Sequence, residues 1–398
     1  MPDRFPGHRL RAPKNGREYA TPGQPGRFPL RPVNEQIKIN WYRCKVDKAV
    51  MSDLMRRSDA RAFAQVIPQL ALFALTGTLA YAAFRRLDAA NWPWMLPLVL
   101  LALFVHGTNG SFFGGCACHE LCHKTPFATQ FWNACALRIY AFLSWFDPVG
   151  YRASHIRHHQ ATTHTDHDGE VVLPMGLDWH AFSFVLIALT CNPRALWKLL
   201  RFWIAAARGD LGRDGFFKSE WLRRVVPETD IKSRRELVRW ARVVLLGHLA
   251  LAAVFFATGH WFLIVIVNLG CLYSGWLGVL TGAPQHLGLA SNTPDFRLCC
   301  RTYTCSWLPA FFYWNMQYHV EHHMFPAVPF YNLPRLRQAI AHDLPPATHG
   351  LWAMWRGDIL PVLRRQRQDP GYVYVPPLPA NEGERATDGQ LYAEAAQA

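Results

Sequence analysis

The chain has 398 residues, 51% hydrophobic and 18% charged, with a formal net charge of +14. That length accommodates two soluble domains or one membrane domain with caps. The apolar content and the 16 Trp residues favour the second, because Trp prefers bilayer interfaces. A nucleic-acid partner is not expected from the positive charge. The Arg residues flank apolar runs, as at Arg56, Arg57 and Arg61 and again at Arg234, Arg235, Arg239 and Arg242, which is what the positive-inside rule produces.

Residues 1–58 read as a basic tail, rich in Pro, Gly and Arg over the first 35 or so and partly disordered. The opening MPDRFPGHRLRAPKNGR has no apolar h-region, so no cleaved signal peptide is expected. The main domain is expected over residues 59–345. Its first apolar run, 62–84, is long enough to cross a hydrocarbon core of about 30 Å at about 1.5 Å per helical residue. The short connection RRLDAANWP leads to a second run, from Trp94 to about Gly115. Two spans joined so tightly form an antiparallel hairpin, so the second returns to the side where the first began.

HELCHK follows that span, with His119 and His123 one helical turn apart. HIRHH comes next, with His155, His158 and His159. Residues 181–191, AFSFVLIALTC, are apolar but too short to span, and read as an interfacial or cap helix. Residues 207–236 are polar. A second hairpin is expected from 240–257, a turn at 258–261, and 262–281 running back. The four Arg residues before it, and the absence of Lys or Arg from its turn, place its starting side in the cytoplasm. His286 stands just past the last span in GAPQHLGL. NMQYHVEHHMFP then sets His319, His322 and His323 around Glu321. Residues 346–398, Pro-rich and then polar, read as a C-terminal cytosolic tail.

This topology rests on apolar runs and basic flanks and makes no use of the histidines, and it puts all nine of them on one face of the membrane. In each H-x-x-H-H cluster the first His shares a helical face with both later ones, while the adjacent pair diverges by about 100°. Adjacent histidines can therefore serve two different metals. Imidazole-rich sites suit Zn, Cu, Fe or Ni, and nine donors are too many for one ion. The ten Cys include no C-x-x-C pair and no zinc-ribbon spacing. They read as reduced thiols.

HELCHK, HIRHH and HVEHH, in that order and with a long insertion before the third, resemble the three histidine boxes of the membrane fatty acid desaturase and hydroxylase superfamily. The resemblance spans about residues 60–345, and HVEHHMFPAVPFYNLPRL is most similar to acyl-lipid and sphingolipid desaturases. It implies an all-α, polytopic membrane fold of two transmembrane hairpins, about four spans, with a cytosolic helical cap. It also implies a di-iron centre, O2 as co-substrate, a lipid acyl substrate and electrons from a carrier protein. No HPGG haem motif and no rubredoxin-like Cys pattern is present. The donor is therefore expected to be separate, of ferredoxin, rubredoxin or cytochrome b5 type.

An alkane-hydroxylase-type monooxygenase is the runner-up. HELCHK and GAPQHLGL are similar to its motifs, but HIRHH has two residues rather than three before its pair, and Gln285 and Leu287 replace the acid and the tyrosine of E-H-Y-G. A membrane metal transporter or sensor is the non-enzymatic reading. Transporters place their ligands at mid-bilayer, whereas these lie past the helix ends.

The expected ligands are His119, His123, His155, His158, His159, His286, His319, His322 and His323. Glu120, Asp166, Asp168, Glu170 and Glu321 are candidates for orienting imidazole N–H groups, and Asn315 for holding a metal-bound water. His164 and His167 are possible extensions of the second box. His106, His248 and His260 read as packing or polar contacts. Trp145, Phe146, Phe311, Phe312 and Trp314 are candidates for an acyl tunnel or for plain interface anchors.

Overall fold

A computed structural model describes residues 39–165, 167–170 and 191–379. The cap helix expected at 181–191 lies almost wholly outside the described residues, as does Asp166. Among the described residues, three helices are long and apolar enough to cross a membrane: Lys48–Arg85, Trp92–Cys122 and Ile231–Ala257. Within the first, α1 (Lys48–Leu54) precedes α2 (Asp59–Arg85), whose N-cap is Ser58. The second begins as α3 (Trp92–Gly110), passes through a π-helical turn at Phe113–Cys118, and ends as α4 (His119–Cys122). Leu75 and Leu79 on α2, and Leu98, Leu100, Leu101 and Val105 on α3, are exposed. A surface that apolar suits lipid rather than water.

The fold continues with α5 (Gln130–Leu143) and α6 (Pro148–Ala161), then α7 (Pro193–Ala207), α8 (Ser219–Val225) and α9 (Ile231–Ala257). Asp147 caps α6, accepting from the N–H groups of Val149 and Gly150, and Pro148 takes the first helical position. Short helices follow: α10 (Trp276–Gly282), α11 (Phe296–Cys299), α12 (Trp307–Phe312), α13 (His319–Met324) and α14 (Leu333–Ile340). The last two are α15 (Leu351–Met354) and α16 (Leu360–Gln368).

The fourth expected span, 262–281, is not one continuous helix. A π-helical turn at Ile264–Asn268 gives way to non-helical backbone, and α10 resumes only at Trp276. Gly270, Gly275 and the positive φ of Ser274 break the repeat. Backbone freed in this way must be satisfied by other groups in an apolar setting. His106 Nε2 lies 3.0 Å from the Ile266 carbonyl, Trp145 Nε1 donates to that of Asn268, and the Asn268 amide donates to that of His248. The close approach to α3 depends on glycine. A Cβ on Gly107 would meet the Tyr273 ring at 2.3 Å, and one on Gly110 would meet the Gly270 carbonyl at 2.6 Å. From Phe262, stacked on Phe84 at 3.8 Å, the chain leads on past this segment to His286, which lies among the box histidines.

Both expected tails are partly built into the fold. Trp41 stacks on Phe296 at 4.0 Å, and Tyr42 donates to Asp343. At the other end, Trp355 Nε1 donates to the Leu280 carbonyl and Tyr374 N–H to that of Gly288. Residues 351–368 thus pack against the loop that carries His286, because Leu287, Met354, Trp355, Ile359 and Leu363 share one apolar cluster.

Candidate metal centre

The eight box histidines and His286 converge into two groups. His119, His123, His155, His159 and His322 form one; His158, His286, His319 and His323 form the other. Within each group the ligand atoms lie within 4.8 Å of one another. Helical geometry makes the division. His155 and His159 are i and i+4 on α6 and point into the five-membered group, while His158, between them in sequence, enters the other. On α13, His319 and His323 join the four-membered group and His322 the five-membered one. The π-helical turn before His119 resets the phase of the second long helix as it reaches the site. Such turns are frequent at functional positions.

Several imidazoles have their tautomer dictated from outside. His119 Nδ1 donates to Glu120 at 3.0 Å, His155 Nδ1 to Glu170 at 2.7 Å and His158 Nδ1 to Asp168 at 2.8 Å. His286 Nδ1 donates to the Cys299 carbonyl at 2.8 Å. The Thr162 hydroxyl already donates to the His158 carbonyl, so its oxygen accepts from His323 Nδ1 at 3.1 Å. Each of these five rings then presents a bare Nε2.

The inward contacts fit a cation. His319 Nε2 lies 3.0 Å from both His286 Nε2 and His323 Nε2. Both neighbours are bare, so at most one of the two contacts is a hydrogen bond. His155 Nε2 lies 3.0 Å from His123 Nε2 and 2.9 Å from His159 Nε2. Two nitrogens bound about 2.1 Å from a shared ion at about 90° lie about 3.0 Å apart. His322 is 1% exposed, and neither of its ring nitrogens has a hydrogen-bond partner. An imidazole so buried and unsatisfied is costly in a protein core unless something coordinates it. Either group could hold a metal ion.

Burial holds His155, His159, His322 and His323 well below the ordinary imidazole value, with neighbouring rings adding to the effect, and pushes His286 down to about 3. Neutral imidazole is the form that binds metal. Burial also works against a charge on Asp168. The His158 ring and the N–H groups of Thr163 and Glu170 outweigh it and hold the carboxyl below its usual range. Glu170 is pushed up to about 7 by burial.

Other expected residues fall elsewhere. Glu321 does not reach an imidazole: it accepts from Thr302 at 2.5 Å and from Arg337 at 3.1 Å, and so braces α13 rather than a ring. Asn315 adopts a positive φ and accepts from Gln317. His164 Nδ1 donates to the Thr162 carbonyl, and His167 Nδ1 lies 3.2 Å from Arg157; neither belongs to a group. His248 Nε2 donates to the Phe142 carbonyl, and His260 pairs with Tyr81. Phe312 stacks on Phe112, and Trp314 donates to Gln69, inside the core.

Trp145 and Phe146 line a cavity together with Leu199, Phe202, Trp203 and Phe217. Tyr151 links that cavity to the centre, lying 4.8 Å from the Phe146 ring and stacked on His155 at 5.2 Å. Sequence reading missed Tyr151, Thr162 and the Cys299 carbonyl. Tyr151 lies one turn before His155 on α6, a spacing that would have pointed to it; the other two have no local signal.

A search of curated proteins finds none that matches this chain. The profile of the fatty acid desaturase family matches residues 90–355, well over half of the sequence. Every histidine of both groups falls inside that match, and the chain therefore belongs to the fatty acid desaturase family.

Proposed function

We propose that the protein is a multi-pass membrane enzyme that uses two irons and O2 to introduce a double bond into a lipid acyl chain. The observation that carries the reading is the division of nine buried or half-buried imidazoles into two adjoining groups, with no carboxylate or thiolate among the donors that the described residues offer. The nine proposed ligands are the members of those groups. Iron held there, with O2, supplies an oxidant strong enough to attack an unactivated methylene.

The chain's own residues prepare that site. Neutral imidazoles add no charge, so the metals stay electron-poor. Glu120, Asp168, Glu170, Thr162 and the Cys299 carbonyl fix ring orientation through the outer nitrogens, a kind of support whose removal typically weakens metal binding about 10- to 100-fold. Phe296, packed 5.6 Å from His323, and Tyr151, stacked on His155, keep water from two flanks.

Electrons come from a separate carrier of ferredoxin, rubredoxin or cytochrome b5 type. The centre faces the cytoplasm, and the broken 262–281 segment serves as the fourth crossing. The basic residues at the start of α2 and α9 support this orientation.

Lipid mass spectrometry after heterologous expression tests the reaction. Wild type should yield a new unsaturated acyl chain that His322→Ala does not. A hydroxylated product would move the assignment to an alkane-hydroxylase-type monooxygenase. Transport of a metal with no lipid product would support the non-enzymatic reading.

A further inference from the structure

The first half of α9 is basic and the second half apolar, and the two halves share one face. Arg235, Arg239, Arg242, Leu246 and Leu249 follow one another at spacings of four, three, four and three, a single stripe on a helix. Leu246 and Leu249 are 62% and 57% exposed, as lipid-facing residues are. At about 1.5 Å per residue, the stripe passes from lipid-facing Leu246 to Arg235 within roughly 16 Å, which covers the depth of a headgroup layer.

Beside the stripe lies an open groove of about 340 Å³, lined by Glu228, Ile231, Arg234, Arg235, Val238, Arg239 and Arg242. A volume above about 300 Å³ is in the range of small-molecule sites. Two of the guanidiniums are held in place by backbone carbonyls. Arg242 Nε donates to Ala207 at 2.9 Å, and Arg234 Nη1 to Val226 at 3.4 Å. Among the described residues, none of the four Arg side chains forms an ion pair with a carboxylate. Glu228 is the one acid in the lining, against four Arg residues.

We infer that this groove is a binding site for the phosphate headgroup of an anionic bilayer lipid. Guanidinium forks match phosphate oxygens, and the lipid-facing stripe brings headgroups to them. Aromatic Phe202 and Trp203 of the cavity beside Tyr151 lie on α7, whose last turn accepts the Arg242 bond, so the groove adjoins the apolar cavity through α7. The inference rests on α9 crossing the bilayer and is independent of the metal centre.

Native mass spectrometry of the full-length protein, titrated with phosphatidylglycerol or phosphatidylcholine, tests it. Wild type should retain phosphatidylglycerol in preference. R235Q/R239Q/R242Q should lower that retention by more than about tenfold while keeping the wild-type circular dichroism spectrum. R56Q/R57Q, which removes exposed Arg residues between α1 and α2, should not lower it. Equal retention of both lipids, or an equal loss in the control pair, would overturn the inference. So would displacement of phosphatidylglycerol by inorganic phosphate alone, which would mark a free-phosphate site. Unchanged lipid retention with slower reduction by an acidic carrier protein would assign the groove to that carrier instead. If α9 does not cross the bilayer, a membrane-impermeant thiol reagent will label Lys232→Cys and Thr258→Cys, at its two ends, from the same side, so that failure is distinguishable.

Discussion

Arg301 donates from Nη1 to the carbonyl of Leu287 at 3.1 Å, beneath the loop that carries His286. The same nitrogen donates to the Pro284 carbonyl, and the Arg301 backbone N–H donates to that of Gln285 at 2.8 Å. Three carbonyls around His286 are thus gathered onto one buried residue. Arg301→Met would strand two of them, at about 1–3 kcal/mol for each buried group left unsatisfied. We expect iron in this variant to fall toward one per chain, through loss from the four-histidine group, with Arg301→Lys retaining more. Metal analysis of purified protein checks this, and full iron in the Met variant would refute it.

Asp168 touches no proposed metal position but holds His158 and accepts two backbone N–H groups. Asp168→Asn keeps an oxygen for the ring and removes the charge. Competition with a chelator should show metal retention weakened by about tenfold or more. His164→Ala, by contrast, should retain metal as wild type does.

Acid should act through the buried rings. An unfolded imidazole takes up its proton near pH 6.5, whereas His286 in the fold does so at about 3 and His155, His159, His322 and His323 well below the usual value. The unfolded chain therefore binds more protons over that window, and stability rises with pH across it. The contribution is whole above about pH 6.5 and is lost as pH falls through the folded values. Glu170, raised to about 7, works in the opposite sense, as do Asp147, raised to about 6, and His158, Glu321 and Asp358, also raised, but the imidazoles that burial depresses outnumber them. The melting temperature of chelator-treated protein should fall steadily on acidification below about pH 6.5. A flat profile would contradict this.

His106 stands apart from the metal chemistry. It lies 2.9 Å from Thr76 Oγ1 and 3.0 Å from the Ile266 carbonyl, stacked on Phe73. His106→Leu should lower thermal stability by about 1–3 kcal/mol, the cost of an orphaned buried carbonyl, and leave iron content unchanged.

The two long hairpin helices and the grouping of histidines were legible because hydrophobic length and helical spacing are local signals. His158 and His159 enter different groups simply because neighbours on a helix point about 100° apart. The break at 269–275 was not legible. Residues 262–281 are apolar enough to span, and the groups that satisfy the broken backbone, His106 and Trp145, lie far away in sequence. Glu321 was misread for a similar reason: its position inside H-V-E-H-H suggested a ring partner, but Arg337 and Thr302, which claim it, come from other segments. The folding of residues 351–368 against the His286 loop was hidden by a polar composition that resembles a tail.

Iron stoichiometry tests the central claim most directly. Protein purified from iron-replete cells should contain two irons per chain. His322→Ala should deplete the five-histidine group, and His319→Ala the other. Zinc in place of iron, or full metal content in both variants, would contradict the account.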